Sequence, residues 1–408
     1  MARIGMVVFG NYSSDQRVRR EAEALVSRGD EVDCICLYQD PDKKRIVKGV
    51  RLFYPPARKY RGERIVSYLI EYFAFFLYAF VRLSTLHVKR RYDVVQVHTM
   101  PDFLVFAALI PKLLGAKIIL DVHDLMPELY AAKFGVPQEN WLIRLITWVE
   151  RRSVAFADRT MAVHEPHLAI LAGHGNPKEK FLVLLNLPDS AVFTRADRIP
   201  KKSNDNSFIV VYHGVIVERS GIDVALRAVA LARKEVPGLK FRIIGADESL
   251  PCTELVDQLR RDGSLETFRT VPTEGLPALL ADADAGIVPY VKNEFTRCVL
   301  PVRLMEYVAL GIPVITSRLE TIEAHFDDDM VRYFTPGNEV ELAQQIIALY
   351  CNPQERERLV MSADRFLREH NWETAKKSYF GLVDSLLAAK GLGRLHRERG
   401  GELHEPFD

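Results

Sequence analysis

LPVRLMEYVALGIPVITS (Leu300–Ser317) holds a helix, its stop and a strand in one run. Pro301 suits a first helical turn, where its missing N–H would have no partner anyway. Val302, Met305, Val308 and Ala309 recur at helical spacing. Gly311 is placed to end the helix and Pro313 forbids its continuation. PVITS then reads as a buried strand. A short helix feeding a buried strand predicts one unit of a parallel α/β sheet. Glu306 is the exception within it, because a carboxylate among apolar neighbours is costly unless it has a partner. Either it points to solvent from an amphipathic turn, or it holds something.

The rest of the chain repeats that unit. In the first half, RIGMVVF, EVDCICLY, DVVQVHT, KIILDVH, RTMAVH and FLVLLN read as strands, separated by helical patterns such as DQRVRREAEALVSRG, with Asp15 as N-cap and Gly29 as stop. The second half gives SFIVVYHG, KFRIIG, FRTVP, AGIVPY, PVITS and VRYFTP. Near-continuous apolar strands alternating with helices predict parallel sheets covered on both faces. The fold class is therefore α/β, with two tandem Rossmann-like, doubly wound domains facing a central cleft. RADRIPKKSNDNSF, polar and turn-rich, separates them. The expected boundaries are 1–194 for the first domain, 195–206 for the linker and 207–372 for the second domain. A helix over 373–391 returns toward the first domain, and a charged, disordered tail covers 392–408.

With 408 residues, 48% hydrophobic and 27% charged, the chain has the composition of a globular enzyme with two or three domains. A formal net charge of +1 gives no global attraction to nucleic acid. The five cysteines show no metal-ligand spacing, and Cys34 and Cys36 sit among apolar residues, as reduced, buried thiols do. MARIGMVVFG reads as a strand rather than a signal peptide, so a cytoplasmic location is expected. The segment from Ala57 to Asp93 puts basic residues around an aromatic helix whose uncharged core, YFAFFLYAFV, is about half of a bilayer span. A packed helix and a monotopic helix resting on anionic lipid both remain open, and are compatible if one edge is exposed.

In sheets of this kind ligands bind beyond the C-terminal strand ends. In YHGVIVERSGIDVALRAV, Gly214 allows a tight turn and Arg219 stands just before Gly221 at a helix entry, where free N–H groups and a guanidinium suit an anion. Arg303 lies in the first turn of the 300–317 helix. Two helix N-termini and two arginines predict a diphosphate cradle, and Glu306 could grip the two hydroxyls of a ribose. His98, His123 and Asp124 follow strands in the first half, where a histidine can bind hydroxyls or move a proton; His164 is a weaker third. The chain lacks G-x-G-x-x-G and the Walker loop, which removes the main signatures of dinucleotide redox enzymes and P-loop NTPases. Asp282-Ala283-Asp284 is a D-x-D string at a helix-to-strand junction, and no metal is assigned to it.

These stretches together resemble the retaining family 4 (group 1) glycosyltransferases, of GT-B fold, in their bacterial polysaccharide-type branch. YHGVIVERSGIDVALRAV, IIGADES, VPTEGLPALLADADAGIVPY and LPVRLMEYVALGIPVITS follow in the family's order; VLLNLPDSAVF looks like the stretch before its linker, and FGNYSSDQRVRREAEALVSRGDEVDCICL like its first strand, loop and helix. The resemblance implies that Glu306 holds the ribose of a nucleotide-diphosphate sugar, with a UDP-sugar favoured over a GDP-sugar. It implies that Arg219 and Arg303 neutralise the leaving diphosphate, and that His123 contacts the transferred sugar. Gly214, Leu300, Pro301 and Val302 would line the donor site, and the backbone near Val271 and Pro272 would meet the base. Gly10, Asn11, His98 and Asp124 fall on the acceptor side. The chain departs from the family at Cys298, where many members carry an acid eight positions before the ribose-binding glutamate. Glu294 is out of register. Val215 and Ser220 replace an arginine and a lysine, and Gly10–Asn11 replaces paired glycines.

The implied reaction is metal-independent hexosyl transfer with retention, by front-face displacement, onto a glycan or lipid-linked acceptor. The sugar nucleotide is a co-substrate and no cofactor is expected. Two alternatives remain: a sugar-nucleotide epimerase using Asp124 and Glu128, and a non-catalytic nucleotide-sugar-binding subunit.

Overall fold

The computed structural model describes residues 1–38, 44–55, 65–195, 207–246 and 250–400, with backbone only for 65–69 and 392–400. The expected linker beyond Arg195, the basic flank at 57–64, the end of the IIGADES stretch and the last eight residues of the expected tail lie outside these residues.

The chain divides into two compact units, Met1–Asn186 with Glu373–Asp408, and Leu187–Trp372. In the first, β1 (Arg3–Asn11), α1 (Gln16–Ser27), β2 (Glu31–Leu37), β3 (Ile46–Val47), β4 (Val50–Phe53), α2 (Ile65–Arg90) and β5 (Val94–His98) lead to a 3-10 segment at Asp102–Ala108. Then come α3 (Leu109–Leu113), β6 (Lys117–Val122), α4 (Met126–Phe134), α5 (Trp141–Phe156), β7 (Arg159–Ala162), α6 (Glu165–Gly173) and β8 (Phe181–Val183). Its sheet runs β3-β4-β2-β1-β5-β6-β7-β8. Only β3 pairs antiparallel among the described strands. The β3–β4 hairpin was not read from the sequence: it is a short edge, turned at Lys48 and Gly49, both with positive φ.

The second unit contains β9 (Phe208–His213), α7 (Ile222–Ala232), β10 (Leu239–Ile244), α8 (Thr253–Arg261), β11 (Leu265–Phe268), α9 (Leu276–Leu280), β12 (Ala285–Val288), α10 (Val302–Leu310), β13 (Val314–Ser317), α11 (Glu320–Glu323), β14 (Arg332–Phe334), α12 (Glu339–Cys351) and α13 (Pro353–Glu369). The sheet is fully parallel, in the order β11-β10-β9-β12-β13-β14. The expected FRTVP strand is displaced: the pairing lies on LETF, and its outer half is exposed, as an edge strand's is. α14 (Trp372–Gly400) packs with the first unit and runs past 391, where the sequence suggested order would end. Residues 187–195 cluster with the second unit rather than the first. Arg195 holds them there, bonding Asp364 at 2.9 Å with its side chain over Gly311.

Both cores follow from apolar strands faced by helix stripes. β9 is buried throughout, and its Phe208, Val210 and Tyr212 share one cluster with Val224, Leu226 and Val229 of α7 and Phe241 and Ile243 of β10. The strand order reverses between β9 and β12, and between β1 and β5. Such switch points open a crevice at the carboxyl strand ends, which places the candidate residues in each unit.

Candidate functional site

In the second unit the switch point is built by glycines that admit close neighbours. Gly214 follows β9 with φ +117°, and a Cβ there would lie 2.8 Å from Nη2 of Arg303. Gly245 ends β10, and a Cβ there would lie 2.5 Å from the Gly214 carbonyl oxygen. Gly221, with φ +65°, opens α7; its Cβ would lie 1.7 Å from the Pro289 carbonyl oxygen, so only glycine fits. The loop between, Val215–Ser220, carries Arg219 on its exposed side, with its guanidinium 5.5 Å from the Phe295 ring centre.

α10 opens at Pro301 without a side-chain cap and closes at Gly311 in the left-handed conformation, as its sequence requires. Arg303 enters between Tyr212 and Tyr290, 4.4 and 5.5 Å from their ring centres. Its Nη1 is buried and has no hydrogen-bond partner among the described residues. A guanidinium with one buried, unpartnered nitrogen between two phenol rings favours an incoming anion.

Glu306 is buried, and its partner is one the sequence reading missed. His213, the last residue of β9, meets it with Nε2 2.6 Å from Oε2. Nδ1 of His213 lies 3.0 Å from the Tyr307 hydroxyl, which also accepts the His213 backbone N–H at 3.1 Å. The network closes when Nε2–H donates to the carboxylate and Nδ1 accepts from the phenol. Tyr307 can lie flat on β12 because Gly286 has no Cβ; one would sit 2.4 Å from the ring. Leu300 and Pro301 are buried and Val302 half-buried, while Pro272 is exposed beside half-buried Val271. Cys298 is a buried thiol whose Sγ lies 3.2 Å from the Glu294 carbonyl oxygen, and Glu294 pairs with Arg297 at 3.3 Å. In the D-x-D string, Asp282 bonds Arg242 at 3.2 Å and Asp284 accepts the Ile209 N–H at 2.7 Å, both as structural ties.

In the first unit Asp121 of β6 is the hub. Arg17, on the first turn of α1, grips it with Nε to Oδ2 at 2.8 Å and Nη2 to Oδ1 at 2.7 Å. Its Nη1 donates to the Leu184 carbonyl at 2.7 Å. His123 and His98 both meet Oδ2, at 2.8 and 3.0 Å. Burial works to raise the Asp121 carboxyl, but Arg17 and His123 hold it well below the usual carboxylate range. Burial works to lower His123, but the Asp121 charge and hydrogen bond push it up to about 9. The Asp121 carboxylate thus favours the protonated, hydrogen-donating form of His123.

His98, expected on the acceptor side, is fully buried and meets Asp121 from the neighbouring strand β5, where the two residues pair in register. His164 caps α6, accepting the His167 N–H on Nδ1, and is structural. Asp124 is half-buried just beyond His123. Gly10 and Asn11 end β1, and the Asn11 side chain shapes the turn by accepting from the Ser13 N–H and hydroxyl. Glu21 also approaches Arg17, at 3.3 Å, and accepts from Gln96, which takes the Tyr379 hydroxyl of α14 at 2.7 Å. His98, Asp121 and His123 bring ligand atoms within 4.8 Å of one another, close enough for a metal ion.

The chain matches two known domains. Residues 14–186 match the family model "Glycosyl transferase 4-like domain" and residues 207–352 match "Glycosyl transferases group 1". Among curated relatives, "Putative colanic acid biosynthesis glycosyltransferase WcaL" of Escherichia coli is 27% identical over 177 residues, 43% of each chain. The matched stretch thus spans less than half of that relative's length. Among solved structures, sucrose-phosphate synthase from Thermosynechococcus elongatus superposes with a TM-score of 0.74 at 17% identity, over 95% of this chain and 100% of the other. HepE of Anabaena, solved with UDP-glucose, gives 0.69 at 15% identity over 94% and 100%. These superpositions carry the two-domain, Rossmann-like GT-B fold. By its two domain matches and this fold, the chain belongs to the group 1 glycosyltransferases.

Proposed function

We propose that the chain transfers a hexosyl group from a nucleotide-diphosphate sugar to a hydroxyl of a glycan or lipid-linked acceptor, with retention, in the synthesis of a surface polysaccharide or glycolipid. The observation that carries this is the buried, unpaired Nη1 of Arg303 at the uncapped start of α10, beside Glu306. A diphosphate relieves that guanidinium, with Arg219 and the N–H groups at the start of α7 completing the cradle. The ribose lies against Glu306: His213 takes one lone pair of Oε2, and the carboxylate has others for ligand hydroxyls. The base meets the backbone at Val271 and Pro272. UDP is the favoured nucleotide, supported by the UDP-glucose complex of HepE.

The acceptor oxygen bonds the anomeric carbon on the face from which the diphosphate departs. The sugar–phosphate bond breaks, and the departing phosphate oxygen takes the acceptor proton. Arg219 and Arg303 stabilise the charge that grows on the diphosphate, where transition-state stabilisation counts most. Charged His123 donates to the transferred sugar. Neither a metal ion nor a cofactor is required in this scheme. The first unit, with Gly10, Asn11 and Asp124, takes the acceptor, and the enzyme works against an anionic membrane at its cytoplasmic face.

The test is incubation of the protein with isotopically labelled UDP-sugars and a lipid extract, followed by NMR of the product's anomeric centre. Label in a glycolipid with unchanged anomeric configuration supports the reading. Release of an altered free sugar without any acceptor favours the epimerase instead.

A further inference from the structure

The helical layer on one face of the first unit leaves a wide apolar surface uncovered. α2, the 3-10 segment with α3, and α5 form this layer. Phe76 of α2 packs edge-on against Phe103, and Phe106 meets Phe156 of α5. The inward side of α2 is aromatic: Phe75 is buried against Phe9. Its outward side is apolar too, with Ile70, Phe73, Leu77 and Val81 exposed at helical spacing. Leu109 and Leu113 of α3, which packs against α2, and Leu114 just after it are exposed as well. Apolar patches of this extent on a folded domain mark an interface.

α5 identifies the partner. Its exposed positions are Trp141, Arg144, Leu145, Trp148, Arg151, Arg152 and Ala155, a single stripe along the helix. Trp141 is 74% exposed and Trp148 53%. Arg152 lies 5.3 Å from the Trp148 ring centre. The one carboxylate of α5, Glu150, is turned inward, where it meets His174 at 3.0 Å and Asn176 at 2.7 Å. Glu139, just before the helix, is the nearest exposed acid in sequence. Tryptophan and arginine interleaved on one face, beside an apolar layer, match the boundary between lipid headgroups and acyl chains. A second copy of this chain fits less well, because a two-fold pairing of this face would set arginines against arginines. Among the described residues no helix is long and apolar enough to cross a membrane.

We propose that this face rests on anionic lipid, with Trp141 and Trp148 seated at the headgroup level and Arg144, Arg151 and Arg152 on lipid phosphates. The proposal deepens the lipid-linked acceptor reading and rests on it for its purpose, while its evidence is the surface itself.

The chain has three tryptophans, so the Trp372→Phe variant leaves only the two on α5 as fluorophores. This full-length variant is mixed with phosphatidylglycerol–phosphatidylcholine vesicles without nucleotide or acceptor. The expected result is a blue shift, quenching by lipids brominated on the acyl chains, and co-sedimentation. Sedimentation falls about tenfold or more in Trp141→Ser/Trp148→Ser, and in Arg144→Glu/Arg151→Glu/Arg152→Glu. Phe73→Ser/Leu77→Ser, on the outward side of α2, gives a second readout. Absence of binding, or binding that ignores the α5 variants, overturns the proposal. So does a concentration-dependent dimer that buries both tryptophans without lipid. Because no sugar transfer is read, the test can fail while the transferase reading stands, and the reverse.

Discussion

Replacing Arg303 by methionine separates a binding role from a structural one, because the two move different measurements. In the folded protein without ligand, Nη1 is buried and unpaired, and an unsatisfied buried donor costs about 1–3 kcal/mol, more when charged. The stacking on Tyr212 and Tyr290, at 4.4 and 5.5 Å, returns about 0.5–2 kcal/mol per ring. These nearly cancel, so Arg303→Met leaves stability within about 2 kcal/mol of the parent, a change of under about 8 °C in Tm for a unit of this size. Diphosphate binding has no such offset. A hydrogen bond to a charged group contributes about 1.5–3 kcal/mol, so UDP affinity falls about 10- to 150-fold. Differential scanning fluorimetry of the ligand-free protein, with equilibrium binding of UDP, reads both. A large loss of Tm with UDP affinity unchanged would refute the reasoning and make Arg303 a structural residue.

Gly214→Ala tests the same cradle without changing charge: a Cβ 2.8 Å from Nη2 at φ +117° displaces the guanidinium, so UDP binding weakens and Tm drops. Glu306→Ala strands Nε2 of His213 and costs about 1–3 kcal/mol in chemical denaturation, alongside lost nucleotide affinity. For His123 the folded value of about 9 lies above the ordinary 6.5. Its contribution to stability is therefore full below about pH 6.5 and lost as the pH rises through about 9, a slope that thermal melts across this window should show and that Asp121→Asn should remove. The same variant moves the alkaline limb of the pH–rate profile to lower pH, if charged His123 is the active form.

The sequence exposed the parallel-sheet plan and much of the second unit's site, because both depend on short-range signals. Pro301, Gly311 and the apolar spacing between them define α10 within one run, and Glu306 stood out as a carboxylate where apolar residues belong. Its partner was not legible, since His213 is 93 positions away and sits beside Glu306 only through the β9–β12 switch. Arg17 was hidden for a different reason: in QRVRRE it reads as a solvated helix residue, yet it is buried on Asp121. The signal was in ILDVH, where an aspartate within an apolar strand calls for a buried cation. His98 and His123 looked equivalent at two strand ends, but only tertiary packing decides that His98 is fully buried beside Asp121 while His123 stays partly exposed. On α2 an aromatic run without charge could not reveal that Phe75 faces inward and Phe73 outward.

The most direct test of the central claim is calorimetric titration of the full-length protein with UDP-, GDP-, ADP- and dTDP-sugars. The account expects saturable binding of one nucleotide class, UDP first, lost in both Arg219→Ala and Glu306→Ala. Absence of binding across the panel, or binding indifferent to both substitutions, would contradict it.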